Sequence, residues 1–217
     1  MQSYPAALLG LSYDGNIEPS LVALEQFLGL SQAELRKIVV RRPTFVGLRF
    51  ATNIEPRLLA LESRLRMERS ELRGILLQHP QILGCSYETN LEPSLSALQQ
   101  RLQLSDDELR HIVLRLPQML TYNFESNLAP KLDFLQGSLS GSTDELRQRI
   151  VRLPASLGYS LERRYRPRIA QCEAAGLPAT YALDRIALSN ARFDEQLARS
   201  NSKPPSAKEP SDGDHSY

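Results

Sequence analysis

Prolines recur in this sequence at a fixed interval of 37 residues, which constrains the fold more than any other feature. One series comprises Pro19, Pro56, Pro93, Pro130 and Pro167, and a second comprises Pro43, Pro80, Pro117 and Pro154. A fixed period of about 20 to 50 residues is typical of solenoids, in which each repeat buries its apolar face only against its neighbours. We therefore predict one continuous array of about five repeats over residues 1–199, with a C-terminal cap near 167–199.

Each proline of the first series closes a short motif that predicts the start of a helix, termed helix A. The copies are GNIEP (15–19), TNIEP (52–56), TNLEP (89–93) and SNLAP (126–130). In the second copy, Thr52 and Glu55 have the spacing of a capping box, and Pro56 fits the first turn because amide groups there lack helical partners. The sequence therefore predicts that helix A begins at this motif.

A second capping box predicts helix B of each repeat. The paired residues are Ser31 with Glu34, Ser105 with Glu108 and Ser142 with Glu145, and Glu68 takes the serine position in the second repeat. The predicted core faces are Leu35, Ile38 and Val39, then Leu72, Ile75 and Leu76, then Leu109, Ile112 and Val113. The second-series proline stops each helix B. The short apolar stretch that follows, such as PQILG (80–84), predicts one 3₁₀ turn. The predicted fold is thus all-α, a solenoid of 37-residue units with two α-helices and a short 3₁₀ turn each.

Three longer motifs occur in order along the chain. They are LSDDELRHIVLRLPQML (104–120), LGYSLERRYRPR (157–168) and LSNARFDEQLAR (188–199). With them, about residues 6–199 resemble the mitochondrial transcription termination factor (mTERF) family, especially its plant and algal members. The resemblance implies a curved helical array in a mitochondrion or chloroplast. It also implies binding of double-stranded DNA to regulate or terminate transcription, or a role in organellar RNA processing or ribosome assembly.

Basic charge is concentrated in one stretch, residues 147–168, which we call the basic segment. The whole chain has a net charge of +1, but this segment holds seven arginines against Glu162 alone. Arginine's planar fork suits phosphate and guanine, so the segment is a candidate nucleic-acid site. The candidates are Arg147, Arg149, Arg152, Arg163, Arg164, Arg166 and Arg168. The alternative is that these arginines only solvate helix faces.

A column of arginines occupies one position of helix B in four repeats: Arg36, Arg73, Arg110 and Arg147. A cation near a helix N-terminus opposes the helix dipole, and Arg36 and Arg73 lack an acidic partner on their own helix at the preceding turn. Contact with a ligand and pairing with a neighbouring repeat both explain the column. In the fourth repeat, Arg149 also replaces the core isoleucine, so either helix B is rotated there or Arg149 turns outward.

The sequence predicts no enzyme, metal or cofactor site. His79 and His111 have no partner at metal-ligand spacing, and Cys85 and Cys172 occupy unrelated repeat positions. The aromatic column Tyr13, Phe50, Tyr87 and Phe124 precedes each helix start, where packing between repeats is favoured over base stacking.

Two classes of function remain open from the residues alone. The first is a monomeric organellar nucleic-acid-binding protein, with double-stranded DNA favoured over RNA, that acts by occupancy. The second is a protein-binding solenoid, for which a nearly neutral surface is also suitable. We expect no membrane span, no visible targeting peptide, since the first residues already match the repeat, and a disordered tail over 200–217.

A repeat array predicts unequal effects of two kinds of deletion. Removing one whole 37-residue repeat should reduce thermal stability less than removing half of one, because half a repeat leaves unpaired apolar faces on its neighbours. Circular dichroism melts of the two deletion variants measure the difference, and equal loss of folding would contradict the array.

Overall fold

The computed structural model describes residues 17–201, which contain eleven α-helices and no β-strand. The helices are α1 (Glu18–Leu28), α2 (Gln32–Arg41), α3 (Glu55–Leu65), α4 (Arg69–Gln78), α5 (Glu92–Leu102), α6 (Asp106–Arg115), α7 (Ala129–Ser138), α8 (Thr143–Arg152), α9 (Arg166–Ala174), α10 (Ala179–Asp184) and α11 (Asn190–Asn201). This confirms the predicted all-α repeat fold. None of these helices is long and apolar enough to cross a bilayer.

The chain divides into two compact units, Met1–Tyr159 and Ser160–Tyr217, which are described separately. A single array over residues 1–199 therefore stays a prediction. The expected tail and Tyr13 lie outside the described residues.

The part of the first unit that the structure describes, residues 17–159, contains four repeats, in which α1, α3, α5 and α7 are the A helices and α2, α4, α6 and α8 are the B helices. A five-residue 3₁₀ turn follows each B helix, as predicted: Pro43–Gly47, Pro80–Gly84, Pro117–Thr121 and Pro154–Gly158. A π turn then leads into the next helix A within this unit, at Phe50–Ile54, Tyr87–Leu91 and Phe124–Leu128. Each of the first three repeats is therefore followed by two tight turns.

The predicted capping box at the start of helix A is wrong. Helix α3 begins at Glu55, and its N-cap residue, Ile54, forms no side-chain hydrogen bond to the helix. Thr52 lies inside the preceding π turn. The chain has already turned at Thr52, so the extended backbone that an N-cap needs lies further back. In the third repeat that position is Ser86, whose hydroxyl accepts the Thr89 N–H at 3.3 Å.

The predicted start of helix B is confirmed. Ser31 and Ser105 each form a capping box with the glutamate three residues later. In the fourth repeat, Ser142 accepts the Glu145 N–H at 3.1 Å. In the second, the Glu71 carboxylate accepts the Glu68 N–H at 2.8 Å.

The core lies between repeats, as the leucine and isoleucine pattern predicts. All nine predicted core residues of α2, α4 and α6 are buried. Helix α2 contacts α4 and helix α6 contacts α8, so each B helix covers the apolar face of another repeat. Complete burial of one such side chain contributes about 1.5 to 3 kcal/mol, which makes these faces the main source of stability.

In three repeats, the residue directly after the proline at the start of helix A has a polar side chain that forms a hydrogen bond with the linker before the next helix A. Ser20 accepts the Phe50 N–H at 3.2 Å, and the Ser94 hydroxyl donates to the Tyr122 carbonyl at 3.5 Å. The ammonium group of Lys131, a buried residue, donates to the Leu157 carbonyl. These bonds satisfy backbone groups of linkers that run against the helices.

The second unit begins with the π turn Leu161–Tyr165 and continues through α9, α10 and α11. Its core contains Tyr165, Ile169, Cys172 and Phe193. Residues 167–199, for which the sequence predicts a C-terminal cap, overlap these three helices.

Candidate nucleic-acid interface

The arginine column pairs consecutive B helices. The Arg73 guanidinium donates to Glu34 at 2.7 Å, and that of Arg110 donates to Glu71 at 2.6 Å. Each arginine thus reaches back 39 residues to the preceding repeat. We call these contacts, with the equivalent one between Arg147 and Glu108 at 3.1 Å, the arginine ladder.

The ladder supports the inter-repeat explanation of the column. Each of its three arginines already has a carboxylate partner and is about one-third exposed. Their glutamates also cap helix B, so one carboxylate closes its own helix and holds the next. Arg36, at the first position of the column, is exposed.

Hydrogen bonds and nearby charge lower the pKa of two ladder carboxylates, Glu34 and Glu108. The Arg73 guanidinium, together with the Ser31 backbone and hydroxyl, lowers the pKa of Glu34 to about 2. The Ser105 backbone N–H and the charge of Arg147 also lower the pKa of Glu108. Glu34 and Glu108 are therefore ionised at neutral pH.

Arg149 turns away from the core without rotation of its helix. Leu146 and Ile150 remain buried in the same register as Leu35 and Val39 of the first repeat. The Arg149 guanidinium instead binds Glu145, one turn earlier, at 3.0 Å. Of the two predicted alternatives, the outward orientation is correct.

Arg152, the last residue of α8, is exposed. Within residues 17–201 it has neither a hydrogen-bond partner nor an ion-pair partner. Of the three candidates on α8, Arg152 is thus the most accessible to an anion.

The other four candidates lie in the second unit. Arg163 is exposed, and Arg166 is exposed and pairs with Glu162 at 2.9 Å. Arg164 is half-buried and donates to the Ile186 carbonyl at 3.4 Å. Among these three, Arg163 and Arg166 present their charge to solvent most fully.

The prediction that Arg168 contacts nucleic acid needs correction, because its side chain is buried and holds the protein's own backbone. The residue is only 3% exposed. Its guanidinium donates to the carbonyls of Arg185, Ile186 and Leu188, and lies 4.6 Å from the centre of the Phe193 ring. It occupies the repeat position of Lys131 and fastens the turn after α10 in the same manner.

Aromatic side chains are buried or half-buried throughout residues 17–201. Several have polar partners: Arg69 lies 3.4 Å from the centre of the Phe27 ring, and the Tyr87 hydroxyl donates to Glu92 at 2.8 Å. Burial is the main cause that raises the pKa of Tyr87, to about 12. Among the described members of the aromatic column, Phe50 is buried and Tyr87 and Phe124 are half-buried, as packing requires.

Sequence reasoning did not identify Glu34, Glu71 and Glu108 as the partners of the arginine column, although it named Glu34 and Glu108 as helix caps. Their signal is a spacing of 39 residues to the arginine of the next repeat, two more than the period. Within the described residues, no group of histidine, cysteine, aspartate and glutamate side chains is suited to hold a metal ion.

Comparison with protein-family profiles matches mTERF over residues 3–194. No curated protein matches the chain.

The ladder predicts a specific acid dependence of stability. The folded-state pKa of Glu34, about 2, lies below its ordinary value of 4.5. The stabilisation from its pairing is therefore complete above about pH 4.5 and is lost as the pH falls towards 2. Arg73→Gln should lower the midpoint of thermal unfolding at pH 7, and the difference from wild type should shrink at pH 3. Arg115→Gln, which removes an exposed charge outside the ladder, is the control, and a pH-independent difference for Arg73→Gln would refute the assignment.

Arg168→Leu should destabilise the second unit by about 3 kcal/mol, because buried carbonyl groups lose a charged donor. Arg168→Lys should recover only part of this loss, since an ammonium group lacks the planar fork. Arg163→Gln should leave stability unchanged. Hydrogen exchange of α9 to α11 measures all three, and wild-type protection in Arg168→Leu would contradict the structural role.

Proposed function

Because the chain belongs to the mTERF family, a family of organellar nucleic-acid-binding helical-repeat proteins, we propose that it binds double-stranded DNA. Occupancy of the template then regulates or terminates transcription in a mitochondrion or chloroplast. Such an action involves no chemical step on the DNA.

The accessible arginines of the basic segment are the observation that carries this proposal. Arg152 and Arg163 are exposed, and neither has a carboxylate partner within residues 17–201. Arg166 pairs with Glu162, whose side chain is 72% exposed. Ion pairs this open contribute little to stability, so a phosphate can replace the carboxylate at small cost. We therefore place the first phosphate contacts at these three residues.

The positions of the aromatic side chains favour a duplex over a single strand. Proteins that hold single strands stack bases on accessible aromatic rings. Here, the aromatic rings of residues 17–201 are packed among other side chains. Arginine contacts to the phosphates of a base-paired duplex require no such ring. Binding to RNA, as in organellar RNA processing or ribosome assembly, is the competing outcome.

A protein-binding solenoid is the second candidate, and exposed apolar residues favour it. Val22 and Leu59 occupy the same position of helices α1 and α3 and are 42% and 45% exposed. Val40 on α2 is 65% exposed. A protein partner that covers these side chains would bind with weak dependence on salt.

Neutralising two accessible arginines tests the DNA proposal. The double variant Arg163→Gln/Arg166→Gln should remain folded, since neither side chain is buried. It should bind a short duplex more weakly. The magnitude of the negative slope of log K against log salt should decrease by about 0.9 for each phosphate that the variant no longer neutralises. Fluorescence anisotropy at several salt concentrations measures both quantities.

The matched control is Arg192→Gln/Arg199→Gln in the same compact unit. It removes the same charge from two exposed arginines, one of which pairs with Glu195 four residues earlier. This control should retain wild-type affinity. Wild-type protein that binds no duplex would refute the proposed function, whereas an equal decrease in affinity for both variants would refute only the placement of the phosphate contacts.

A further inference from the structure

Charge is segregated along the B helices of the first unit. The first turns hold the carboxylates, including the ladder residues Glu34, Glu71 and Glu108. The sixth and tenth residues of these ten-residue helices hold no carboxylate in any of the four repeats. The residues there are Lys37, Arg41, Gly74, Gln78, His111, Arg115, Gln148 and Arg152.

The tenth positions form an accessible column. Arg41, Gln78, Arg115 and Arg152 are the last residues of α2, α4, α6 and α8, and all four are exposed. Arg41 donates one hydrogen bond to the Leu77 carbonyl at 3.2 Å. Within residues 17–201, Arg115 and Arg152 have no partner. We call this column, together with Lys37, the basic edge.

The helix dipole favours a cation at each of these positions, but the helix ends do not require one. Helix α4 ends at Gln78 with no basic residue in its last turn. Its cap residue His79 nevertheless has φ −131° and donates to the Ile75 carbonyl at 2.8 Å. The equivalent Leu116 has φ −138° and makes the same bond at 2.8 Å after Arg115. The helix ends therefore do not depend on the cations of the basic edge, and those cations can contact a ligand without loss of the caps.

We propose that the basic edge binds the phosphate backbone of duplex DNA, with one contact for each repeat. This inference rests on the proposed function and adds a surface outside residues 147–168, since Lys37, Arg41 and Arg115 belong to earlier repeats. The planar guanidinium of each arginine suits a phosphate with two oxygens in reach.

The separation of the B helices suits a duplex. Packed helices lie about 8 to 10 Å apart, so equivalent arginines of consecutive repeats recur at about that interval. Cations at this interval can contact separate phosphates of a DNA backbone. The tight turns and the ladder hold the B helices in a fixed register, which suits a regular backbone.

The acidic residues nearest to the column along the chain lie seven residues earlier on the same helices, and each already has an arginine partner. They are Glu34, Glu71, Glu108 and Glu145, paired with Arg73, Arg110, Arg147 and Arg149. Glu88 and Glu125 are exposed in the π turns that precede α5 and α7. A hydrogen bond from its own backbone N–H and one from the Ser86 hydroxyl lower the pKa of Glu88, with a smaller contribution from the charge of Arg57 on α3.

A gain of binding tests the inference directly. Gln78→Arg completes the column, and Gln100→Arg adds the same charge at an exposed position of helix α5. With a short duplex as probe, Gln78→Arg should increase the magnitude of the negative slope of log K against log salt by about 0.9. The affinity at 0.1 M salt should rise about eightfold. Gln100→Arg should change neither quantity appreciably.

A loss of binding provides the second arm. Arg115→Gln/Arg152→Gln reproduces the residue that α4 already carries, so the fold should be retained. The magnitude of the slope should decrease by about 1.8, which corresponds to the loss of two phosphate contacts. The control is Arg66→Gln/Arg192→Gln, since both residues are exposed and glutamine occupies the position of Arg66 in the next repeat, at Gln103.

The outcomes separate the two proposals. Failure of the wild type to bind duplex refutes the proposed function and the basic edge together. If the wild type binds but Gln78→Arg behaves like Gln100→Arg, or the two double variants are weakened equally, the basic edge is refuted and the function stands. A gain from Gln78→Arg on single-stranded RNA alone would overturn the assignment to a duplex.

Discussion

Burial of the leucine and isoleucine faces between consecutive repeats is the interaction on which the rest of the first unit depends. A single pair of helices cannot cover both of its apolar faces, so each repeat requires a neighbour in one register. The uninterrupted 37-residue spacing preserves this register, and every predicted core position of α2, α4 and α6 is buried as a result. The position of each polar side chain then follows from its place in the repeat.

Several of the charged side chains form ion pairs between consecutive repeats. Glu34 illustrates this, because it closes the start of α2 and also receives Arg73 of the next repeat. Arginine is suited to such contacts because its fork reaches a carboxylate while its stem packs on the helix. Exposed arginines outside the ladder are therefore more informative about ligands than the arginine content of the chain.

Much of the fold was predictable, because apolar periodicity and helix stops are local properties of the sequence. The core residues of helix B and the 3₁₀ turns are examples. The error at Thr52 arose because a π turn and a capping box have similar residues at similar spacing, and only the backbone distinguishes them. The site was less predictable: Arg168 and Arg163 lie five residues apart in one basic segment, yet one is buried and the other exposed. The difference arises because Arg168 contacts the turn after α10, and such a contact between distant residues cannot be predicted from amino-acid composition.

Register also gives a physical reason why one fold can combine rigidity with binding. Positions of helix B that face the preceding repeat, such as Arg110, contribute to stability, and positions at its end, such as Arg115, are left exposed. A substitution at an exposed position leaves the ladder and the core intact, as Gln78 shows in α4. The affinity and salt dependence of such a surface can therefore vary from repeat to repeat while the array keeps its fold.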